Sequence, residues 1–208
     1  MSKRAIIFAL LSLCLVFTAC AEPGAVDAAS VFGTVEGDTY ENTLLSIGCK
    51  LKGWHYNSKE EMMTLNNIAL DMLSEEFRKK LEQSEHIMVM SAINDNSTKN
   101  VNIMLQNMDA NWTMIGDTGL RLKMEAALPE FRASLESTGF TDVDMSMGEA
   151  IIGEETLSAF VGSYTFQGTQ VFLKQPWIFR GNYLCTISVS TYQADTTDEV
   201  LKDFYLME

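Results

Sequence analysis

The sequence predicts an α+β fold: a mainly antiparallel sheet covered by helices on both faces, a three-layer α/β/α sandwich. Three observations point there. Apolar and polar residues alternate in several runs between Leu45 and Val189, as half-buried strands require. Most of these runs are joined by short turn clusters, and short turns pair strands antiparallel. Three other segments repeat apolar residues at helical spacing.

In chain order, Leu45, Ile47, Cys49 and Leu51 alternate and predict the first strand. Ser58 followed by Glu61 is a capping-box pattern, opening a helix expected to run to about Glu82. Its apolar face would comprise Met62, Leu65, Ile68, Ala69, Met72, Leu73, Phe77 and Leu81. Ile87–Ile93 and Val101–Met108 read as a hairpin around the turn cluster Asn94-Asp95-Asn96-Ser97. A second helix is expected over about Leu120–Ser137, bent or restarted at Pro129 and stopped at Gly139. Val143–Met147, Thr156–Phe166, Thr169–Ile178 and Tyr183–Val189 are further strands, the last three separated by Gln167-Gly168 and Arg180-Gly181-Asn182. Thr196-Thr197 would cap a last helix carrying Val200, Leu201 and Phe204.

The first twenty residues have a different character. Lys3 and Arg4 precede an uncharged apolar run, Ala5–Ala19, which is shorter than the ~20 residues of a spanning helix. Small Thr18 and Ala19 then lead to Cys20. This stretch resembles the lipobox of bacterial lipoproteins, with Phe17 standing where Leu is usual. The resemblance implies a signal peptide over residues 1–19 and a diacylglycerol on the Cys20 thiol. An ordinary secretory signal and an uncleaved anchor are the alternatives. Residues 20–36 would be the lipidated Cys and a flexible tether spanning roughly 20 Å, and 37–208 the domain. Partition of the lipid chains would hold the protein at the cell membrane, on its extracytoplasmic face.

Lys3 and Arg4 are the only charges before Cys20, so without residues 1–19 the formal net charge of −13 becomes −15. An acidic domain excludes nucleic acid as a partner and does not dock electrostatically on anionic lipid. With Cys14 and Cys20 set aside, Cys49 and Cys185 remain, either as a disulfide or as buried thiols. No C-x-x-C pair occurs, and there are only two His, His55 and His86.

A second resemblance rests on Gly33-Thr34-Val35-Glu36-Gly37-Asp38-Thr39-Tyr40-Glu41-Asn42, then Leu45-Ser46-Ile47 and Gly53-Trp54. This opening resembles small bacterial lipoproteins with a PsbP-like α/β/α-sandwich domain. In place of the Phe and Pro often found before Gly-Trp, this chain has Gly48-Cys49-Lys50-Leu51-Lys52. The resemblance implies that fold and a non-enzymatic accessory or binding role, with no catalytic residue and no cofactor.

Trp54, His55 and Tyr56 are the candidate ligand or partner surface, because aromatic faces supply stacking area and His a polar handle. The plainer reading has Trp54 closing the core and His55 facing water. Asp142, Asp144, Glu149, Glu154 and Glu155 lack the spacing of a Ca²⁺ loop, and no Gly-x-Ser-x-Gly elbow is present. The 13 Met are read as adaptable core filling rather than as metal ligands. The expectation is therefore a membrane-anchored, non-enzymatic binding or accessory module whose partner is an envelope protein or an extracellular ligand. A small-ligand receptor of an uptake system and, more remotely, an envelope-acting hydrolase are the other readings.

Overall fold

The computed structural model describes residues 31–66, 86–108 and 110–207, with side chains from 114 onward in the last segment. Cys20 lies outside these residues, as do the expected helical positions from Ile68 to Leu81. Among the described residues eleven strands and three helices follow in the order β1 (Thr34–Glu36), β2 (Thr39–Asn42), β3 (Ile47–Lys50), β4 (Trp54–Tyr56), α1 (Lys59–Leu65), β5 (Ile87–Asn94), β6 (Lys99–Asn107), α2 (Ala110–Ser137), β7 (Thr141–Ile152), β8 (Glu155–Phe166), β9 (Thr169–Arg180), β10 (Tyr183–Tyr192), α3 (Thr197–Leu201) and β11 (Phe204–Leu206).

The strands form two sheets, in which every pairing is antiparallel. The large one has the order β4-β5-β6-β10-β9-β8-β7, and the small one β1-β2-β3-β11. The mainly antiparallel sheet expected from the alternation is present. Gln167 and Gly168 both have positive φ (49° and 78°), the backbone that a tight β8–β9 hairpin demands.

Side chains alternate across each strand, so the large sheet presents two faces. On one face Val101, Ile103, Leu105, Cys185, Ile187 and Val189 pack with the small sheet and with Val200 and Leu201 of α3. On the other, Phe160, Tyr164, Leu173, Trp177 and Leu184 pack with Leu120, Met124, Phe131 and Leu135 of α2. Two arginines tie α2 to the edge strand β7: Arg121 Nη1 donates to Gly148 O (3.1 Å) and Arg132 Nη2 to Met145 O (2.6 Å). These donors satisfy carbonyls that an edge strand leaves without a neighbour.

The capping box opens α1 as the sequence predicts. Glu61 N donates to Ser58 Oγ (3.3 Å), and Ser58 N to Glu61 Oε2 (2.8 Å). Asn66 then joins α1 to β5: its Nδ2 donates to Met62 O and Met88 O, and its Oδ1 accepts from Met88 N. The break in α2 lies at Gly116 (φ 60°, ψ −164°), while Pro129 sits within continuous helix. Gly139 (φ 95°) ends it, with Phe140 N donating back to Leu135 O.

Three local expectations differ from the structure. The stretch expected as tether to residue 36 is folded from Val31 onward. Val31 and Phe32 are buried, and Thr34–Glu36 pairs with β2. At α3 the Thr196 side chain makes no cap bond; Asp195 Oδ1 accepts from Thr197 N and Oγ1 instead. Phe204 belongs not to that helix but to β11, opposite Cys49 of β3. Among the described residues no helix is long and apolar enough to cross a membrane.

Candidate functional site

The first element of the site is the break in α2. A helix interrupted at Gly116 restarts at the next residue, which places Asp117 on its first turn. Two donors from the sheet converge there: Trp177 Nε1 of β9 to Asp117 Oδ1 (2.8 Å) and Ser158 Oγ of β8 to Asp117 Oδ2 (2.7 Å). Trp177 is buried, and its ring packs edge-on against Phe160 at 5.5 Å. An indole N–H in such a place needs an acceptor, and Asp117 supplies a charged one.

The pair borders a cavity of about 550 Å³ lined by Gly116, Asp117, Glu149, Ser158, Trp177 and Phe179 among others. Both Asp117 oxygens are held in place by neutral donors, and a carboxylate oxygen has capacity for more than one. Glu149 adds a second carboxylate. Met114 and Ile115, just before the break, are exposed apolar side chains (84% and 39%). A fixed carboxylate beside apolar surface suits a cationic or hydrogen-bond-donating group. Asp117→Ala is expected to cost about 1–2 kcal/mol and to shift the Trp177 emission as its N–H loses the acceptor. Thermal melts and fluorescence spectra of the two proteins measure both effects.

The Trp54–Tyr56 candidates form β4, and strand alternation separates them. Tyr56 points toward the small sheet, donates to Asp38 O (3.0 Å) and lies 3.8 Å from Cys49 Sγ. Trp54 is half-buried against the same core. His55 points the other way and is exposed. It borders a groove of about 400 Å³ with Asn57, Glu61, Ile93, Asn94 and Asp95. Three adjacent residues therefore serve two surfaces, and only His55 faces a groove. The side chain of Trp112 is outside the described ones.

Cys49 and Cys185 are buried free thiols, and burial pushes both up to about 12. Burial lowers His86 to about 4, partly opposed by its hydrogen bond with Gln106. Thiols and imidazole are thus held neutral across the physiological range. Among the described residues no three of His, Cys, Asp and Glu converge to hold a metal ion.

The Asp117–Trp177–Ser158 contact was not legible beforehand, because its members are 41 and 60 residues from Asp117 in sequence. One clue existed: a Trp in a buried strand must find an acceptor for its N–H.

No protein-family model matches the chain, and no curated protein does. Among solved structures it is similar to the solution structure of cyanobacterial PsbP (CyanoP) from Synechocystis sp. PCC 6803. The identity there is 10% and the TM-score 0.47, covering 84% of this chain and 98% of that one. It is also similar to a crystal structure from Bacteroides thetaiotaomicron VPI-5482, at 11% identity and a TM-score of 0.47. That match covers 84% of this chain and 50% of the other, so the chain spans about half its length.

Proposed function

We propose that this protein is a membrane-anchored extracytoplasmic lipoprotein that works as a non-enzymatic binding or accessory module. Residues 1–19 act as its signal peptide, and Cys20 carries the lipid. We read the sheet as carrying helices on both faces; the packing of α2 on one face and of the short α3 beside the small sheet on the other supports that reading. The observation that carries the binding role is the Asp117 carboxylate, fixed by Trp177 and Ser158 at the wall of an open cavity. It receives a basic or donor group of an envelope protein or extracellular ligand. Thiols and an imidazole kept in their neutral forms support binding rather than nucleophilic or acid–base catalysis.

Anchoring is tested by Cys20→Ala in the full chain, expressed in a bacterium that processes lipoproteins. The variant is expected to move from the membrane to the soluble fraction and to incorporate no labelled fatty acid. Unchanged membrane retention would overturn the anchor. The binding role is tested on the lipidated protein cross-linked in its membrane: Asp117→Ala should lose cross-links that wild type forms, and an identical pattern would count against the cavity.

A further inference from the structure

The cavity of about 550 Å³ beside Asp117 is built for a narrower class of group than its acidity alone implies. Asp117 is solvent-exposed, yet its carboxylate is fixed: Oδ1 accepts from Trp177 Nε1 (2.8 Å) and Oδ2 from Ser158 Oγ (2.7 Å). Each oxygen therefore carries one neutral donor, and a carboxylate oxygen has capacity for a second. One further place on each oxygen of a fixed carboxylate matches the two parallel N–H bonds of a guanidinium. Glu149 stands on the same side of the sheet, because it is opposite Ser158 in the β7–β8 ladder. Ser158 thus has Asp117 on its hydroxyl and Glu149 as its cross-strand neighbour.

Nothing basic answers these two acids. The described lining residues include no Lys, Arg or His. Among the described residues neither Asp117 nor Glu149 is in an ion pair. Arg121 and Arg180, the arginines nearest in sequence to lining residues, spend donors on Gly148 O (3.1 Å) and Leu45 O (3.0 Å). Apolar side chains adjoin the same opening. Met114 and Ile115 immediately precede the lining residue Gly116, and Ile151, 64% exposed, is opposite the lining residue Thr156. Phe179 is half-buried in the wall.

We propose that this cavity receives the guanidinium of an arginine in a partner protein, with apolar residues on either side of that arginine. The inference rests on the binding role proposed for Asp117 and names the group that fills the site. Two carboxylates without a counter-charge select a cation. Arginine suits them better than lysine: its planar fork meets both Asp117 oxygens at once and its face stacks on aromatic rings, whereas an ammonium is a point charge. A protein segment suits the site better than a free guanidino compound, because Met114, Ile115 and Ile151 offer apolar area that neighbouring side chains of the same segment would cover.

The test follows the Trp177 indole resonance in isotope-labelled full-length protein as isolated from cells, since that N–H shares the Asp117 carboxylate. The probe is the blocked tripeptide Leu-Arg-Leu, which is expected to shift the resonance saturably. Lysine in place of its arginine should weaken binding about fivefold, and neutral citrulline about tenfold. Blocked Gly-Arg-Gly should bind more weakly than Leu-Arg-Leu. Asp117→Asn keeps an acceptor for Trp177 but loses the charge, and should weaken Leu-Arg-Leu about tenfold. Melting curves establish that this variant is folded. No saturable shift, equal affinity for the arginine peptide and its lysine or citrulline counterpart, or unchanged affinity in Asp117→Asn would each overturn the guanidinium assignment. Equal affinity of Gly-Arg-Gly would overturn the apolar-flanked protein segment as its source. If Asp117→Ala loses cross-links in the membrane while no peptide selects arginine, the binding role stands and this inference falls; an identical cross-link pattern overturns both.

Discussion

Gly162→Ala is expected to destabilise the protein by about 3 kcal/mol, the upper end of the usual cost of overpacking. Gly162 is on β8 opposite Met145 of β7. A Cβ there would run into the Asp144 carbonyl oxygen and the Met145 sulfur, and would come 3.0 Å from Met145 Cα. The sulfur can swing away, but backbone of the paired strand cannot without giving up ladder bonds. Arg132 also holds that stretch, through Met145 O and an ion pair with Asp144 at 3.9 Å. For a chain of this size the melting temperature should fall by roughly 6–12 °C. Gly148 on β7 is the comparison, since a Cβ there meets only the Val161 side chain, with Cγ2 at 2.6 Å. Gly148→Ala is expected to cost clearly less, as Val161 can shift. Equal melting temperatures for wild type and Gly162→Ala would contradict the close β7–β8 approach.

Acidification should remove a comparable amount through one side chain. His86 lies just before β5, and its partial burial lowers it from 6.5 to about 4. Between those values the unfolded chain binds a proton that the folded protein does not. The contribution is therefore complete above pH 6.5 and declines as pH falls toward 4. Below that His86 adds no further loss. The interval corresponds to about 3 kcal/mol. Carboxylates titrate over part of the same range, so the diagnostic is a difference. Urea unfolding of wild type and His86→Gln at several pH values should show a shallower decline for the variant between pH 6.5 and 4. Superimposable slopes would contradict a half-buried His86 kept neutral by the fold.

The long elements of the fold were legible because each declares itself locally. Residues 155–192 alternate steadily, and Gln167-Gly168 and Gly181 punctuate them. Ser58 and Glu61 announce α1 through bonds that both partners make. The short strands were not legible. β1, β2, β4 and β11 have three or four residues each, too few to show a period. They exist because distant partners meet: Phe204 finds Cys49, and Thr34 finds Glu41. The Tyr40-Glu41-Asn42 stretch that suggested a family proves structural. Asn42 Nδ2 donates to Val31 O (2.7 Å) and Tyr40 Oη (3.0 Å), while its Oδ1 accepts from Leu45 N (3.1 Å). A small polar side chain thus anchors the first folded residues.

The sites divide in the same way. Trp54, His55 and Tyr56 stand out in sequence as an aromatic cluster, but a strand turns neighbours to opposite sides. Asp117, Ser158 and Trp177 are unremarkable in sequence, and only the fold unites them. The acidic composition is read for the surface, not for a site, and it carries into the Asp117 cavity. Its charged lining residues, Asp117 and Glu149, are both acidic, as suits a chain of net charge −13.

An acidic surface gains nothing from anionic lipid, so the proposed residence at the membrane would rest on Cys20 or on a partner. The intact mass of the N-terminal peptide from protein extracted out of the membrane fraction addresses that most directly. The account predicts a mature chain that begins at Cys20, its thiol carrying a diacylglycerol. A peptide that begins at Met1, or one that begins elsewhere with an unmodified Cys20, would contradict it.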